Sequence, residues 1–234
     1  MRKKFDELFN HIKRDGKDEL LMYLETSGYF IAPCSSQYHL AEKGGLLEHS
    51  INVTELTLEL AEFMNCFETD MTESIVIVGL FHDLGKGEYY KKPHYIENIL
   101  KSGKRSESKP YTSNKDRLYV PHEVASIHIL SKFIQLTEEE TFAILYHNGL
   151  YTSTGYGLRG NERPLQTLLH FADMWCSRFI ETEIDPIKVN FDMSTLFWTY
   201  FYRTIYINPH EFVCNYKIIY LVQSRVNELA IARP

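Results

Sequence analysis

The sequence lacks the cysteine pattern of a disulfide framework or of a structural zinc site. Its cysteines are scattered, with no CxxC pair among Cys34, Cys66, Cys176 and Cys214. This spacing favours a protein of the reducing cytoplasm in which each thiol packs as a small core residue. The first residues, MRKKFDELFNHIKRDGKDELL, have no apolar stretch like that of a signal peptide, and every apolar run is too short to cross a membrane.

The chain also lacks an excess of positive charge. It carries 25 lysines and arginines against 31 acids, and this net charge of -6 argues against generic binding of long nucleic acids, which needs a basic face. Neither a GxSxG nucleophile motif nor a phosphate-binding P-loop is present. A length of 234 residues, 44% of them hydrophobic, is enough for one large globular domain or two small ones.

Most of the sequence has the periodicity of α-helices. Residues 46–66 place apolar side chains at helical spacing, and residues 73–84 are apolar almost all round, which is typical of a buried helix that Gly85 would stop. Further helices are predicted in HEVASIHILSKFI after a proline, in TEEETFAILYHNG with a threonine cap, and in PLQTLLHFADMWCSRFIE.

Two segments interrupt the helical pattern, at residues 87–120 and 149–163. The stretch YTSNKDRLYV predicts a short β-hairpin within residues 105–120. Long irregular segments in a compact domain are more often functional than idle. We expect an all-α fold in one domain over residues 1–234, with two C-terminal helices at residues 193–230 packing on the core.

Six polar side chains fall where the predicted helices should face inward, namely His49, His82, Asp83, His122, His147 and Asp173. A single histidine on an apolar face is more often a hydrogen-bonded core residue than a metal ligand. All six together would leave many desolvated polar groups, which one or two metal ions at a shared centre would satisfy. Imidazole nitrogens with carboxylate oxygens suit manganese, iron, cobalt, nickel or zinc.

The order of these residues and their flanking motifs resembles the HD superfamily of metal-dependent phosphohydrolases in its six-ligand, dinuclear form. GGLLEHS, HDLGK, PHEVAS, LTEEETFAILYHNG and LLHFAD are each similar to a local motif of that family. The segment FIAPCSSQYHLAEKGGLLEHS is similar to the approach segment of a branch that includes 3′-5′ exoribonucleases. The resemblance covers about residues 25–185 and implies a compact HD-type helical domain.

The resemblance implies two divalent transition-metal ions whose ligands share one aspartate. The implied ligands are His49, His82, Asp83 and Asp173 for the first ion and Asp83, His122 and His147 for the second. Water activated by these ions would hydrolyse a phosphate ester. Asp83 and Lys86 would be the catalytic residues.

Two other functions stay open for the same residues. A mixed-valent di-iron oxygenase would use the same ligand set, but Lys86 in HDLGK resembles the hydrolases and counts against it. A metal-stabilised sensor or interaction module would need no turnover. The complete ligand set favours an enzyme, because degenerate members of the superfamily usually lose ligands.

The charge distribution favours a phosphorylated substrate. Between Lys86 and Arg117, nine lysines and arginines face four acids, a local charge of +5 that would attract phosphate. A solvated loop without a ligand is the alternative. Arg159 and Arg163 flank the glycine-rich loop and are candidates, with Lys86, for binding phosphate.

Several other residues are candidates for supporting roles. His39 and His170 are predicted to lie in an outer shell around the ligands, where His170 would orient the aspartate three residues on. Tyr151 and Tyr156 are candidates for stacking on a nucleobase. We therefore expect a small phosphorylated substrate, a nucleotide or short oligonucleotide. The aromatic stretch LFWTYFYRTIYI is compatible with a homodimer face or with core packing.

Overall fold

The computed structural model describes residues 1–65 and 70–182, and its main elements are helices. Seven α-helices are formed in this part of the chain: α1 (Arg2–Phe9), α2 (Lys17–Thr26), α3 (Gly45–Met64), α4 (Thr72–Phe81), α5 (His122–Leu130), α6 (Glu138–Leu145) and α7 (Pro164–Trp175), which a π-helical turn (Cys176–Ile180) follows. The strands form two short antiparallel pairs, β1 (Glu88–Tyr89) with β2 (Lys92–Pro93) and β3 (Tyr95–Glu97) with β4 (Tyr111–Ser113). The predicted fold class, all-α with a short hairpin, is confirmed.

Helix α4 lies in the core because almost every side chain on it is apolar. Its residues 75–81 are all buried, as the apolar pattern predicts. The helix packs against α3, α6 and α7. Gly79 permits a close approach to α3, since a Cβ at this position would lie 2.5 Å from Thr54 Oγ1. Burial of each aliphatic side chain on α4 stabilises the fold by about 1.5–3 kcal/mol.

Local sequence signals set the ends of the helices that carry the predicted ligands. Thr137 and Glu140 form a capping box on α6, in which each side chain accepts a hydrogen bond from the other residue's backbone N–H, at 3.2 and 2.8 Å. Pro164 is the first residue of α7, as predicted. Helix α5 begins directly after Pro121 and ends at Leu130, earlier than predicted. Beyond Leu130, backbone N–H groups donate to carbonyl oxygens three residues earlier, as in a 3₁₀ turn, and the α-helical pattern stops.

The prediction that α4 runs to residue 84 and stops at Gly85 is wrong. The helix ends at Phe81, and the chain then enters a 3₁₀ turn, Leu84–Lys86. Gly85 instead permits a close approach between the 3₁₀ turn and α5, because a Cβ on it would collide with a backbone oxygen in the first turn of α5. This contact places the start of α5 directly beside Asp83.

The insertion between α4 and α5 is tied to the same 3₁₀ turn. Strand β4 lies within the predicted hairpin range, but its partner β3 lies outside that range, at residues 95–97. The Arg117 guanidinium donates to the carbonyl oxygens of Gly85 and Gly87, at 2.8 and 3.1 Å. Both ends of the positively charged segment 86–117 are therefore held close to Asp83.

The second irregular segment forms two 3₁₀ turns, Gly149–Tyr151 and Ser153–Leu158. Within the two described ranges, no helix has the length and apolar character needed to cross a membrane. The helices predicted at residues 193–230 lie outside the described residues, so a single domain over residues 1–234 stays a prediction.

Candidate metal centre

The predicted ligands converge from five helices. His49 lies in α3, His82 and Asp83 follow α4, His122 opens α5, His147 follows α6, and Asp173 lies in α7. Four of these side chains are at most 1% exposed, whereas those of His122 and Asp173 are 22% and 17% exposed. The cluster is therefore buried, and His122 and Asp173 lie on its side that is open to solvent.

Four of the side chains form a first group around His49. Its Nε2 lies 3.2 Å from Asp173 Oδ1, 3.3 Å from His82 Nε2 and 3.6 Å from Asp83 Oδ2. His82 Nε2 lies 3.5 Å from the same oxygen of Asp83. Metal–ligand bonds of about 2.0–2.2 Å place ligand atoms roughly 3–4 Å apart, so this spacing suits one cation.

Asp83 also belongs to a second group, which contains two other histidines. Its Oδ1 lies 3.1 Å from His122 Nε2 and 3.6 Å from His147 Nε2, and these two nitrogens are 3.3 Å apart. The amide nitrogen of Asn148 lies 3.0 Å from His147 Nε2. Each carboxylate oxygen of Asp83 thus faces a different group of imidazoles.

Hydrogen bonds account for only part of this arrangement. The Nε2 atoms of His49 and His82 face each other at 3.3 Å, as do those of His122 and His147, and at most one proton fits between each pair. Asp83 Oδ1 is buried, and no contact among the described residues has good hydrogen-bond geometry at this oxygen, although His122 Nε2 lies 3.1 Å away. Facing lone pairs and a buried carboxylate oxygen with poor hydrogen-bond geometry are costly unless a proton or a metal cation lies between them. The residues therefore fit divalent metal ions.

Hydrogen bonds to the backbone orient the rings of two histidines toward the candidate metal centre. His82 Nδ1 donates to the carbonyl oxygen of Gly79 at 2.9 Å, and His147 Nδ1 donates to that of Ile144 at 2.7 Å. In both cases the acceptor lies three residues earlier, in the last turn of the preceding helix. Because Nδ1 carries the proton, the neutral ring presents the lone pair of Nε2 to the centre.

Two buried carboxylates that the sequence analysis missed support the other two rings. Glu181 accepts a hydrogen bond from His49 Nδ1 at 2.8 Å and from the Asn52 amide at 3.0 Å, and Glu123 lies 3.3 Å from His122 Nδ1. Such carboxylates fix the tautomer and make Nε2 a stronger ligand. Glu181 follows α7 across the π-helical turn, so α-helical periodicity does not reveal it.

Burial and ion pairing set the charges of the first group. Burial lowers the pKa of His82 to about 4, which keeps this ring neutral. Burial also opposes ionisation of both aspartates, but Lys86 holds the pKa of Asp83 well below its ordinary value, and a hydrogen bond from His49 does so for Asp173. Ionised carboxylates and neutral imidazoles are the forms that bind metal ions.

Two of the predicted ligand histidines have raised pKa values when no cation is bound. Burial opposes a charge on His49 and His147, yet the pKa of His49 is raised by the carboxylates of Glu181 and Asp173, and that of His147 by Asp83. A protonated Nε2 has no lone pair for a metal. Metal binding should therefore release protons and weaken as the pH falls.

Adding manganese to the metal-free protein is expected to raise its Tm. A cation that binds the folded chain alone stabilises it by about 2.7 kcal/mol at 100 times its Kd. For a chain of this size, that corresponds to a shift of about 5–10 °C. Calorimetric scans at increasing Mn²⁺ test this. Ca²⁺, which prefers oxygen ligands, is the matched control, and equal shifts with both ions would contradict the assignment.

The variant Glu181→Gln is expected to weaken metal binding about tenfold, because the neutral amide makes His49 a poorer ligand. Isothermal titration of the metal-free protein with Mn²⁺ measures the change. Glu162→Gln is the matched control, because Glu162 is exposed. Equal affinities for both variants and the wild type would show that Glu181 does not tune His49.

Lys86, a predicted catalytic residue, lies beside both groups. Its Nζ donates to Asp83 Oδ2 at 2.6 Å and lies 4.0 Å from Cys34 Sγ, and its side chain is 14% exposed. Burial alone would lower the pKa of Lys86, but the Asp83 carboxylate raises it well above its ordinary value. An ammonium ion is therefore fixed next to the candidate metal centre.

The two histidines predicted for an outer shell contact different parts of the site. His39 Nε2 lies 3.2 Å from Cys34 Sγ, and the His39 ring is 5.1 Å from that of His49. His170 Nδ1 donates to the carbonyl oxygen of His147 at 2.6 Å, so this nitrogen is not available to the aspartate three residues on. His170 thus supports the chain that follows α6.

The residues other than Lys86 that are predicted to bind substrate lie at the surface. The Arg159 guanidinium lies 5.3 Å from the centre of the Tyr156 ring, and Arg163 Nε lies 3.7 Å from Glu139 Oε1. Tyr151 and Tyr156 are 54% and 73% exposed, as stacking on a nucleobase would require. Roles of these residues in binding phosphate or base stay predictions.

Comparison with known protein families agrees with this geometry. The family model of the HD domain matches residues 46–174, which is more than half of the chain and includes all six predicted ligands. Comparisons with curated proteins and with solved structures give no match. The chain therefore belongs to the HD domain family, within the superfamily of metal-dependent phosphohydrolases.

Proposed function

We propose that the protein uses a dinuclear centre to hydrolyse a phosphate ester of a nucleotide or short oligonucleotide. The first cation would be held by His49, His82, Asp83 and Asp173, and the second by Asp83, His122 and His147. Manganese, iron, cobalt, nickel or zinc fits this donor set. When bound, two such cations supply charge stabilisation for a phosphoryl group and a nucleophilic water near neutral pH.

The position of Asp83 between the two groups carries this proposal. Its Oδ2 lies 3.6 Å from His49 Nε2, and its Oδ1 lies 3.1 Å from His122 Nε2. A carboxylate with one oxygen toward each group is suited to holding two cations a few ångströms apart. The partial exposure of His122 and Asp173 also favours catalysis, because structural metal sites are usually closed.

Positive charge near the centre supports an anionic substrate. Lys86 holds an ammonium group 2.6 Å from Asp83 Oδ2, where it can bind and orient a phosphate oxygen. The segment 86–117 carries a local charge of +5 in a chain of -6, which would steer small anions toward the site. A short substrate fits this local charge better than a long polymer, which would need an extended basic face.

Turnover by the manganese-loaded full chain tests the proposal. Aryl phosphate monoesters and diesters come first, to decide between the two chemistries, and a panel of nucleotides and short oligonucleotides follows. We expect hydrolysis of at least one substrate, loss of activity with a chelator, and recovery with Mn²⁺. No hydrolysis by a protein shown to hold two cations would contradict the proposal, as would O₂ uptake with a mixed-valent chromophore in the iron-loaded protein.

A further inference from the structure

Two metal-ligating side chains lie beside the first group without being part of it. Cys34 and His39 lie in the loop before α3, and Cys34 Sγ is 3.2 Å from His39 Nε2. One ligand atom from each of Cys34, His39 and His49 lies within 4.8 Å of the other two. The thiol is fully buried and His39 is half-buried, so this cluster adjoins the metal centre inside the protein.

The loop itself holds the two side chains together. The backbone N–H of Cys34 donates to the carbonyl oxygen of Leu40 at 3.1 Å, and Ser35 Oγ donates to the carbonyl oxygen of His39 at 2.7 Å. These contacts fold residues 34–40 back on themselves. The thiol and the imidazole are therefore preorganised for a common ligand and need no large movement to bind it.

We propose that Cys34, His39 and His49 form a further metal site, which binds a thiophilic divalent cation such as Zn²⁺ or Cd²⁺. Thiolate sulfur and imidazole nitrogen are both zinc ligands, and an open zinc site has three protein ligands with water in the fourth position. Manganese and magnesium prefer carboxylate, carbonyl and water oxygens, so the thiolate selects against them. Zinc fits both this site and the predicted dinuclear centre, whereas manganese fits the dinuclear centre alone.

The shared histidine makes this site and the first group mutually exclusive. His49 Nδ1 donates to Glu181, which leaves Nε2 as the nitrogen available to a cation. A cation bound to Cys34 and His39 through this nitrogen removes one ligand from the group that contains His82 and Asp173. Loss of this ligand should inhibit the manganese-loaded enzyme, so excess zinc is expected to inhibit through Cys34. This expectation rests on the proposed function.

A cadmium titration of the metal-free full chain tests the site without using activity. Binding by Cys34 should give an ultraviolet cadmium–thiolate charge-transfer band that Cys34→Ser loses, with Cd²⁺ affinity falling at least about tenfold. His39→Gln should also weaken binding, and it is the second test because it leaves the buried thiol intact. Cys176→Ser, which removes another buried thiol, is the matched control and should keep the affinity.

Competition with manganese tests the shared ligand. Adding Cd²⁺ to the manganese-loaded wild type should release one Mn²⁺ per chain, seen as the aqueous Mn²⁺ signal in electron paramagnetic resonance. At the same Cd²⁺ concentration, Cys34→Ser should release less. A band that is unchanged in Cys34→Ser would overturn the site, and a Cys34-dependent band without Mn²⁺ release would overturn the sharing of His49. A Cys34-dependent band in a protein without turnover would leave the site standing and refute the proposed function alone.

Discussion

Replacing Asp83 by asparagine is expected to lower metal-dependent turnover about 10³-fold and to leave at most one cation bound per chain. The amide offers one neutral oxygen where the carboxylate presents an anionic oxygen to each group of imidazoles. Loss of about 4 kcal/mol of charge stabilisation in the transition state corresponds to this factor. Steady-state kinetics and metal analysis of the purified variant measure both effects.

An exposed aspartate provides the control for this variant. Asp15→Asn removes the same charge at the surface and should keep both the turnover and the metal content of the wild type. Circular dichroism and thermal melting must show that both variants are folded. An Asp83→Asn protein that binds two cations and turns over within tenfold of the wild-type rate would refute the bridging role.

Features that depend on neighbouring residues could be predicted from the sequence. The apolar run of α4 identifies a buried helix, and the first threonine of TEEETFAILYHNG caps α6 as expected. The same periodicity places His49 on the buried face of α3 and puts Asp173 on α7. A period of 3.6 residues fixes which side of a helix faces the core, so inward-facing polar residues stand out.

Contacts between distant segments could not be predicted in the same way. Gly85 has the local signature of a helix stop, and only the packing of α5 on it shows that it permits a close approach. Glu181 lies 132 positions from the histidine that it supports, beyond a π-helical turn that shifts the helical phase. The spacing of the cysteines gives no metal-binding motif at Cys34, because the partners of this thiol are set by the folding of its loop before α3.

Replacing Lys86 by methionine is expected to lower kcat about 10²-fold while leaving two cations bound. Removing one preorganised donor to the transition state costs about 10²–10³-fold in comparable sites. Lys86 is proposed as such a donor because its ammonium lies 2.6 Å from Asp83 Oδ2 and its side chain is 14% exposed, so that a substrate phosphate could reach it. Pre-steady-state and steady-state kinetics with saturating Mn²⁺ measure the effect, and Lys86→Arg should retain part of the rate.

Comparison with a second lysine separates a direct contact from general attraction of anions. Lys101 is exposed in the same positive segment, so Lys101→Met should change KM slightly and kcat not at all.

The metal content of Lys86→Met distinguishes the two roles open to Lys86, contact with the substrate and positioning of Asp83. A normal content with a low kcat places the ammonium on the substrate, because the ligands are intact. Loss of a cation would instead show that Lys86 acts by holding the Asp83 carboxylate in position, and the residue would then be a positioning residue without a contact to phosphate.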